Sequence, residues 1–246
     1  MTTLKTFFKK NILRLYKITR VTSILKIFKL VVGKNVNISK TSISGRTTLG
    51  NNVSLINSTL NGQIKISNHS VINKSTLTGD IDLSNNCTLY NTNIDGKFKC
   101  SQKSYLEHCF SSGNINIGNN VKIIGGQVTM CGDIEIGNYT SLNGPNTDIY
   151  TSINKVKIGN FCSIARNVSI QEYNHKTNKV STYFMSSSIY NLDSNLDKES
   201  KGDIIIENDV WIGSQTIILT GSKVSNGAVI AANSVVTGYI PPLLLS

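Results

Sequence analysis

The chain has 246 residues, 39% of them hydrophobic and only 16% charged, so it can bury a core and is not a solvated tail. Its net charge of +11 sits at one end: residues 1–34 hold nine Lys or Arg and no acid, which leaves 11 minus 9, or +2, on the remainder and excludes a nucleic-acid groove along the main body. The five cysteines form no C-x-x-C pair and are odd in number, which points to a reduced, cytoplasmic protein rather than a disulfide scaffold.

In residues 1–34, Leu4, Phe8, Leu15, Ile18, Leu25 and Phe28 recur at helix-like intervals with lysines between them, which predicts one or two basic amphipathic helices. The lysines break any continuous apolar stretch, so neither a signal peptide nor a membrane span is expected. Two compatible roles remain for this segment. It caps the open end of a solenoid, or it adsorbs to an anionic membrane face, which would place the protein at the inner side of the cytoplasmic membrane.

Residues 35–150 repeat with a period of 17. Gly45, Gly62, Gly79, Gly96 and Gly113 mark it, followed two and four positions later by Thr47/Leu49, Ile64/Ile66, Ile81/Leu83, Phe98/Cys100 and Ile115/Ile117. Leu55, Ile72, Leu89, Leu106 and Ile123 give a second inward position, and Leu60, Leu77, Ile94 and Val128 a third, with Ser111 as the lapse. Near residue 130 the period lengthens by two. In residues 151–240 it settles into strict sixes: Ile158, Ile164 and Ile170, then Ile206, Ile212, Ile218, Val224, Ile230 and Val236. A period of six fits neither an amphipathic helix nor an alternating strand. It fits a triangular coil in which each short strand sends one aliphatic inward and then turns, so an all-β parallel β-helix is predicted, with residues 241–246 as a short tail. A right-handed β-helix for the first half and a β-sandwich are the competing architectures.

Between Ile170 and Ile204 the sixes stop, so residues 171–202 must project from the coil as a loop. That loop holds His175, whose residue type suits it to deprotonate a hydroxyl near neutral pH. An ordinary loop histidine is the alternative. His69 and His108 fall between inward positions of the repeat, where solvent exposure accounts for them. No His, Cys and carboxylate spacing suggests a metal site, and no Gly-rich phosphate loop or Ser-His-Asp arrangement is present. Glu172, Asp193, Asp197 and Glu199 in the loop could orient His175 or merely solubilise it.

Three passages, KIGNFCSIARNVSI before the loop, NHKTNKVSTYFM within it and NDVWIGSQTIILTGSKVSNGAVIAANSVVT after it, together resemble the hexapeptide-repeat acyltransferases and, within them, the xenobiotic and polysaccharide O-acetyltransferase group. The resemblance spans roughly residues 156 to 237 and implies a left-handed parallel β-helix, a homotrimer with active sites between neighbouring helices, and acetyl-CoA as co-substrate without a metal. It implies His175 as general base, Trp211 beside the coenzyme arm, and Ser214, Ala232 and Thr237 along the coenzyme channel. Packing at a coil corner would equally explain Trp211, Ser214, Ala232 and Thr237. Family members commonly carry a lysine where Gly238 stands and continue into a segment that helps hold the coenzyme, whereas this sequence reads PPLLLS there. The implied reaction is acetyl transfer to a hydroxyl of a cell-surface polysaccharide or lipid-linked sugar. Acetylation of a small antibiotic and a non-catalytic β-helical scaffold or inactive remnant are the alternatives.

Overall fold

The computed structural model describes residues 30–39, 45–57, 59–74, 76–91, 93–94, 96–108 and 110–243. They form three parallel sheets. The first has eleven strands from Leu30–Val32 to Tyr239–Ile240, the second ten from Asn37–Ser39 to Val229–Ile230, and the third eight from Thr76–Leu77 to Val235–Val236. From Ile64–Ile66 onward each complete turn contributes one strand to each sheet, giving the three-sided parallel β-helix that the repeat predicts. The sheets continue through residue 150 without interruption. Residues 1–29 of the expected basic helical segment lie outside the described residues, and Leu30–Val32 pairs with Thr47–Leu49 as the first strand of the coil.

The register follows the repeat. Thr47 pairs with Ile64 and Leu49 with Ile66, and Phe98 pairs with Ile115, all 17 residues apart. Inward residues therefore stack on their equivalents one coil away, and Leu55, Ile72, Leu89, Leu106, Ile123, Leu142, Ile164 and Ile212 form one such buried column. Each buried aliphatic contributes about 1.5–3 kcal/mol of burial, and neighbouring coils supply the surface that one coil alone lacks.

Strands stay short because each ends in a corner. Asn35, Asn52, His69, Asn86, Lys103 and Asn120 all hold positive φ at one such corner, a conformation that Asn tolerates better than most residues. Beside it an asparagine ladder ties coil to coil: the Oδ1 atoms of Asn51, Asn68 and Asn85 accept from the backbone N–H of Lys34, Asn51 and Asn68 at 2.7, 2.7 and 3.0 Å. The exposed His69 and His108 occupy corners, His108 stacked on Tyr90 at 5.0 Å.

Two irregularities refine the repeat. The extra two residues near 130 are taken up at Gly125 and Gly126, both at positive φ, and the coil offset becomes 19. The strand that follows, Val128–Cys131, has four residues, so Met130 rather than Val128 stacks on Ser111, and both Val128 and Met130 are buried. Ser111 itself lies in the column between Ile94 and Met130, fully buried, with its hydroxyl unpaired. The offset between Val156 and Ile204 jumps to 48, which expels the predicted loop.

Candidate active site

The loop leaves the coil at the end of strand Ser169–Gln171 and returns before Ile204–Ile206. Its root is a two-residue hairpin in which Asn174–His175 pairs antiparallel with Lys198–Glu199. Three attachments fix it. The Glu172 carboxylate is buried and accepts from the backbone N–H of Ser152 and Ile153, both at 2.9 Å, from Asn154 Nδ2 at 3.0 Å and from the Ser200 hydroxyl. Burial alone would raise its pKa, but these donors, Ser200 foremost, hold the carboxyl below the usual range.

Asp197 is the second anchor: Ser186 Oγ, Lys179 Nζ and the Ser187 N–H reach it at 2.7, 2.9 and 3.2 Å. Against the opposing effect of burial, Ser186 and Lys179 pull its pKa down to about 2. The third anchor is Lys198, whose Nζ donates to Ser152 Oγ at 2.7 Å and lies 4.7 Å from the centre of the Tyr173 ring. Asp193 accepts from the Asn195 N–H and caps a 3₁₀ turn over Ser194–Asp197. Glu172 and Asp197 therefore hold the loop rather than the imidazole.

His175 is exposed, and its ring meets Phe184 edge-on with centroids 4.4 Å apart. Its Nδ1 lies 2.7 Å from the carbonyl oxygen of Thr182. A carbonyl can only accept, so Nδ1 carries the proton of the neutral ring and Nε2 presents its lone pair outward. An imidazole with a fixed tautomer is thus presented on a braced loop. Thr182 acts through its backbone, which no side-chain pattern could have singled out.

Trp211 lies on the flat second face, paired with Ser163 and Val229, with 56% of its surface exposed, so it fills no corner. Ser214 and Ala232 occupy successive coils at the corner after that face, joined through the Asn233 N–H to Ser214 carbonyl bond of 3.0 Å. A Cβ on Gly213 would meet the Ala232 backbone nitrogen at 2.5 Å, so the glycine of the Val-Trp-Ile-Gly string is required by the approach of the next coil. Thr237 is exposed at the opposite end of the third face, just after Val235–Val236 and on the side from which the loop departs. One chain brings Ser214, Ala232 and Trp211 into one neighbourhood, while His175 leaves from the far edge of the third face. A polar cavity of about 350 Å³ lined by Asp133, Ser152, Ile153, Asn154, Lys155 and Asp203 adjoins the Glu172 anchor and contains none of the expected site residues. Among the described residues no group of His, Cys and carboxylates could hold a metal, and no helix is long and apolar enough to cross a membrane.

A chloramphenicol acetyltransferase of Morganella morganii is 36% identical over 96 residues, covering 37% of this chain and 46% of that protein. A probable macrolide acetyltransferase of Lysinibacillus sphaericus is 35% identical over 94 residues, 36% of this chain and 52% of that protein. Over these segments the chain is similar to acetyltransferases. A putative lipopolysaccharide biosynthesis O-acetyl transferase of Escherichia coli (strain K12) is also similar, 29% identical over 116 residues, 47% of this chain and 54% of that protein. The chain thus spans about half the length of the curated relatives it matches. Among solved structures, the polySia-specific acetyltransferase NeuO aligns over 87% of this chain and 80% of its own with a TM-score of 0.38 and 20% identity. No family model matches the chain.

Proposed function

We propose that this chain is an acetyl-CoA-dependent O-acetyltransferase whose acceptor is a hydroxyl of a cell-surface polysaccharide or lipid-linked sugar. The observation that carries the proposal is the exposed ring of His175, whose Nδ1 lies 2.7 Å from the Thr182 carbonyl, which leaves the lone pair on Nε2. In the proposed reaction Nε2 takes the proton of the acceptor hydroxyl as its oxygen attacks the thioester carbonyl, and the Thr182 carbonyl steadies the imidazolium. Collapse of the tetrahedral adduct breaks the carbon–sulfur bond, and the imidazolium returns its proton to the departing thiolate. The products are the O-acetyl ester and free coenzyme A.

The coil corners suit the donor. The backbone N–H groups of Ser214, Ala232 and Thr237 donate to no atom of the described residues, and the amide carbonyls of a pantetheine arm are acceptors of the matching kind. Because His175 lies on the loop that leaves the third face and Trp211 on the second face of the next coil, a complete site calls for a second copy, and a homotrimer of neighbouring β-helices provides one. The sugar acceptor is favoured by the lipopolysaccharide O-acetyltransferase relative and by the many coils that precede the loop. The chloramphenicol and macrolide enzymes among the relatives support a second reading, acetylation of a small antibiotic.

The test is acetyl-CoA binding and slow hydrolysis by the purified protein, wild type against His175→Ala. Equal binding with turnover lowered about 10²–10⁴-fold in the variant is expected of a general base. Absence of binding in both rejects the enzymatic reading in favour of a scaffold, and acetylation of chloramphenicol faster than any saccharide selects the second reading. Contact of residues 1–34 with anionic membranes is part of the proposal and requires that deleting residues 1–29 abolish co-sedimentation with anionic vesicles.

A further inference from the structure

Outside the His175 anchors, one cluster of polar side chains on the outer face of the third sheet takes no part in holding the fold's corners. Gln171 Nε2 donates to Ser169 Oγ at 2.9 Å, and Ser169 Oγ donates to Asp148 Oδ2 at 2.7 Å. Ser169 faces Asp148, and Gln171 faces Tyr150, in parallel register on adjacent coils. The chain of hydrogen bonds leaves Asp148 Oδ1 and Gln171 Oε1 without a donor among the described residues. Asp148 and Ser169 are half-buried, while Gln171 and the ring of Tyr150 are exposed. One coil further on, the outward side chain at this register is Ile217, 39% exposed.

Fixed acceptors beside an exposed aromatic ring and an aliphatic side chain match the two-sided chemistry of a pyranose, whose hydroxyls donate and whose C–H face is apolar. Among the described residues no Lys or Arg forms an ion pair with Asp148, so an incoming carboxylate would meet an uncompensated like charge. The position is also right. Gln171 precedes His175 by four residues, so their Cα atoms are at most about 14 Å apart even for an extended backbone.

We propose that Asp148, Ser169, Gln171 and Tyr150 form a subsite that binds an uncharged sugar unit of the acceptor and discriminates against acidic sugars. This rests on the acetyltransferase reading for its role, while sugar binding itself can be measured without turnover. Asp148 Oδ1 and Gln171 Oε1 accept from neighbouring hydroxyls, Ser169 holds both side chains in place, and Tyr150 covers the apolar face of the ring.

The experiment is saturation-transfer NMR on the full chain with methyl β-galactoside, N-acetylglucosamine and glucuronic acid, for wild type, Asp148→Ala, Asp148→Asn and Gln171→Ala, with sedimentation of each variant alongside. The two neutral sugars should bind wild type and weaken about tenfold or more in Asp148→Ala and Gln171→Ala, the loss expected for a hydrogen bond to a charged or fixed acceptor. Glucuronic acid should bind wild type poorly and improve in Asp148→Asn. Unchanged neutral-sugar binding in the variants, no sugar binding by wild type, or equal binding of glucuronic acid overturns the subsite. A changed sedimentation coefficient in the variants also overturns it, because the cluster would then serve subunit packing. Acetyl-CoA titration separates the two ideas: its failure with sugar binding intact removes the acetyltransferase reading alone, and the reverse pattern removes the subsite alone.

Discussion

Replacing Glu172 by Gln probes how the loop is held. The carboxylate is buried and gathers four donors, two backbone N–H groups, the Asn154 amide and the Ser200 hydroxyl. Glutamine keeps one acceptor oxygen and turns the other into a donor. The Ser200 hydroxyl can rotate to accept from it, whereas turning the Asn154 amide over to accept would break its 2.8 Å bond to Ser200 Oγ, so at least one hydrogen bond is lost, about 1.5–3 kcal/mol. Because Ser152, Ile153 and Ser200 bracket the loop root, the loss should fall on opening of residues 172–200 and leave the column of stacked aliphatics untouched. Hydrogen–deuterium exchange followed by proteolytic fragments is the assay. Opening of the loop root should accelerate about 10–100-fold, with exchange in the strands from Thr47 to Ile136 unchanged. An unaltered loop, or equal acceleration along the whole solenoid, would show that Glu172 does not anchor the loop independently. The pH dependence gives a second check. A carboxyl held below its ordinary pKa stabilises above the unfolded-state value and loses that contribution as pH falls through the folded one, so the loop root should loosen on acidification in wild type and not in Glu172→Gln.

Asp197 supports the same argument with a defined pH window. Its pKa of about 2, against an ordinary 3.8, means that its contribution is complete above about pH 4 and fades toward pH 2, so the thermal midpoints of wild type and Asp197→Asn should converge across that interval. Ser111→Ala removes a buried hydroxyl that has no partner and should stabilise by about 1 kcal/mol, read as a higher urea midpoint at unchanged slope; a lower midpoint refutes the unpaired assignment. Gly213→Ala drives a Cβ to 2.5 Å from the Ala232 nitrogen, and should cost about 1–3 kcal/mol and weaken acetyl-CoA binding, whereas Gly96→Ala, with open space around its Cβ and no positive φ, should leave acetyl-CoA binding as in wild type.

What the sequence determined by itself was the column. Inward aliphatics at intervals of 17 and then of six can be buried only by a coil of that circumference, so the three-sided solenoid, the lapse at Ser111 and the expulsion of residues 171–202 were all legible. Periodicity reports which residues face inward and is blind to what the outward ones touch. It therefore mistook Val128 for the partner of Ser111, because two residues added at the Gly125–Gly126 corner shift the register without disturbing the count of buried positions. It could name His175 but not its tautomer, which depends on a backbone carbonyl seven residues away brought close by the fold of the loop. Nor could it sort the loop's acids. Only the tertiary structure placed the Glu172 carboxylate against Ser152, Ile153 and Asn154 one coil below and set Asp197 on Lys179 and Ser186, since such contacts join residues whose separation carries no period.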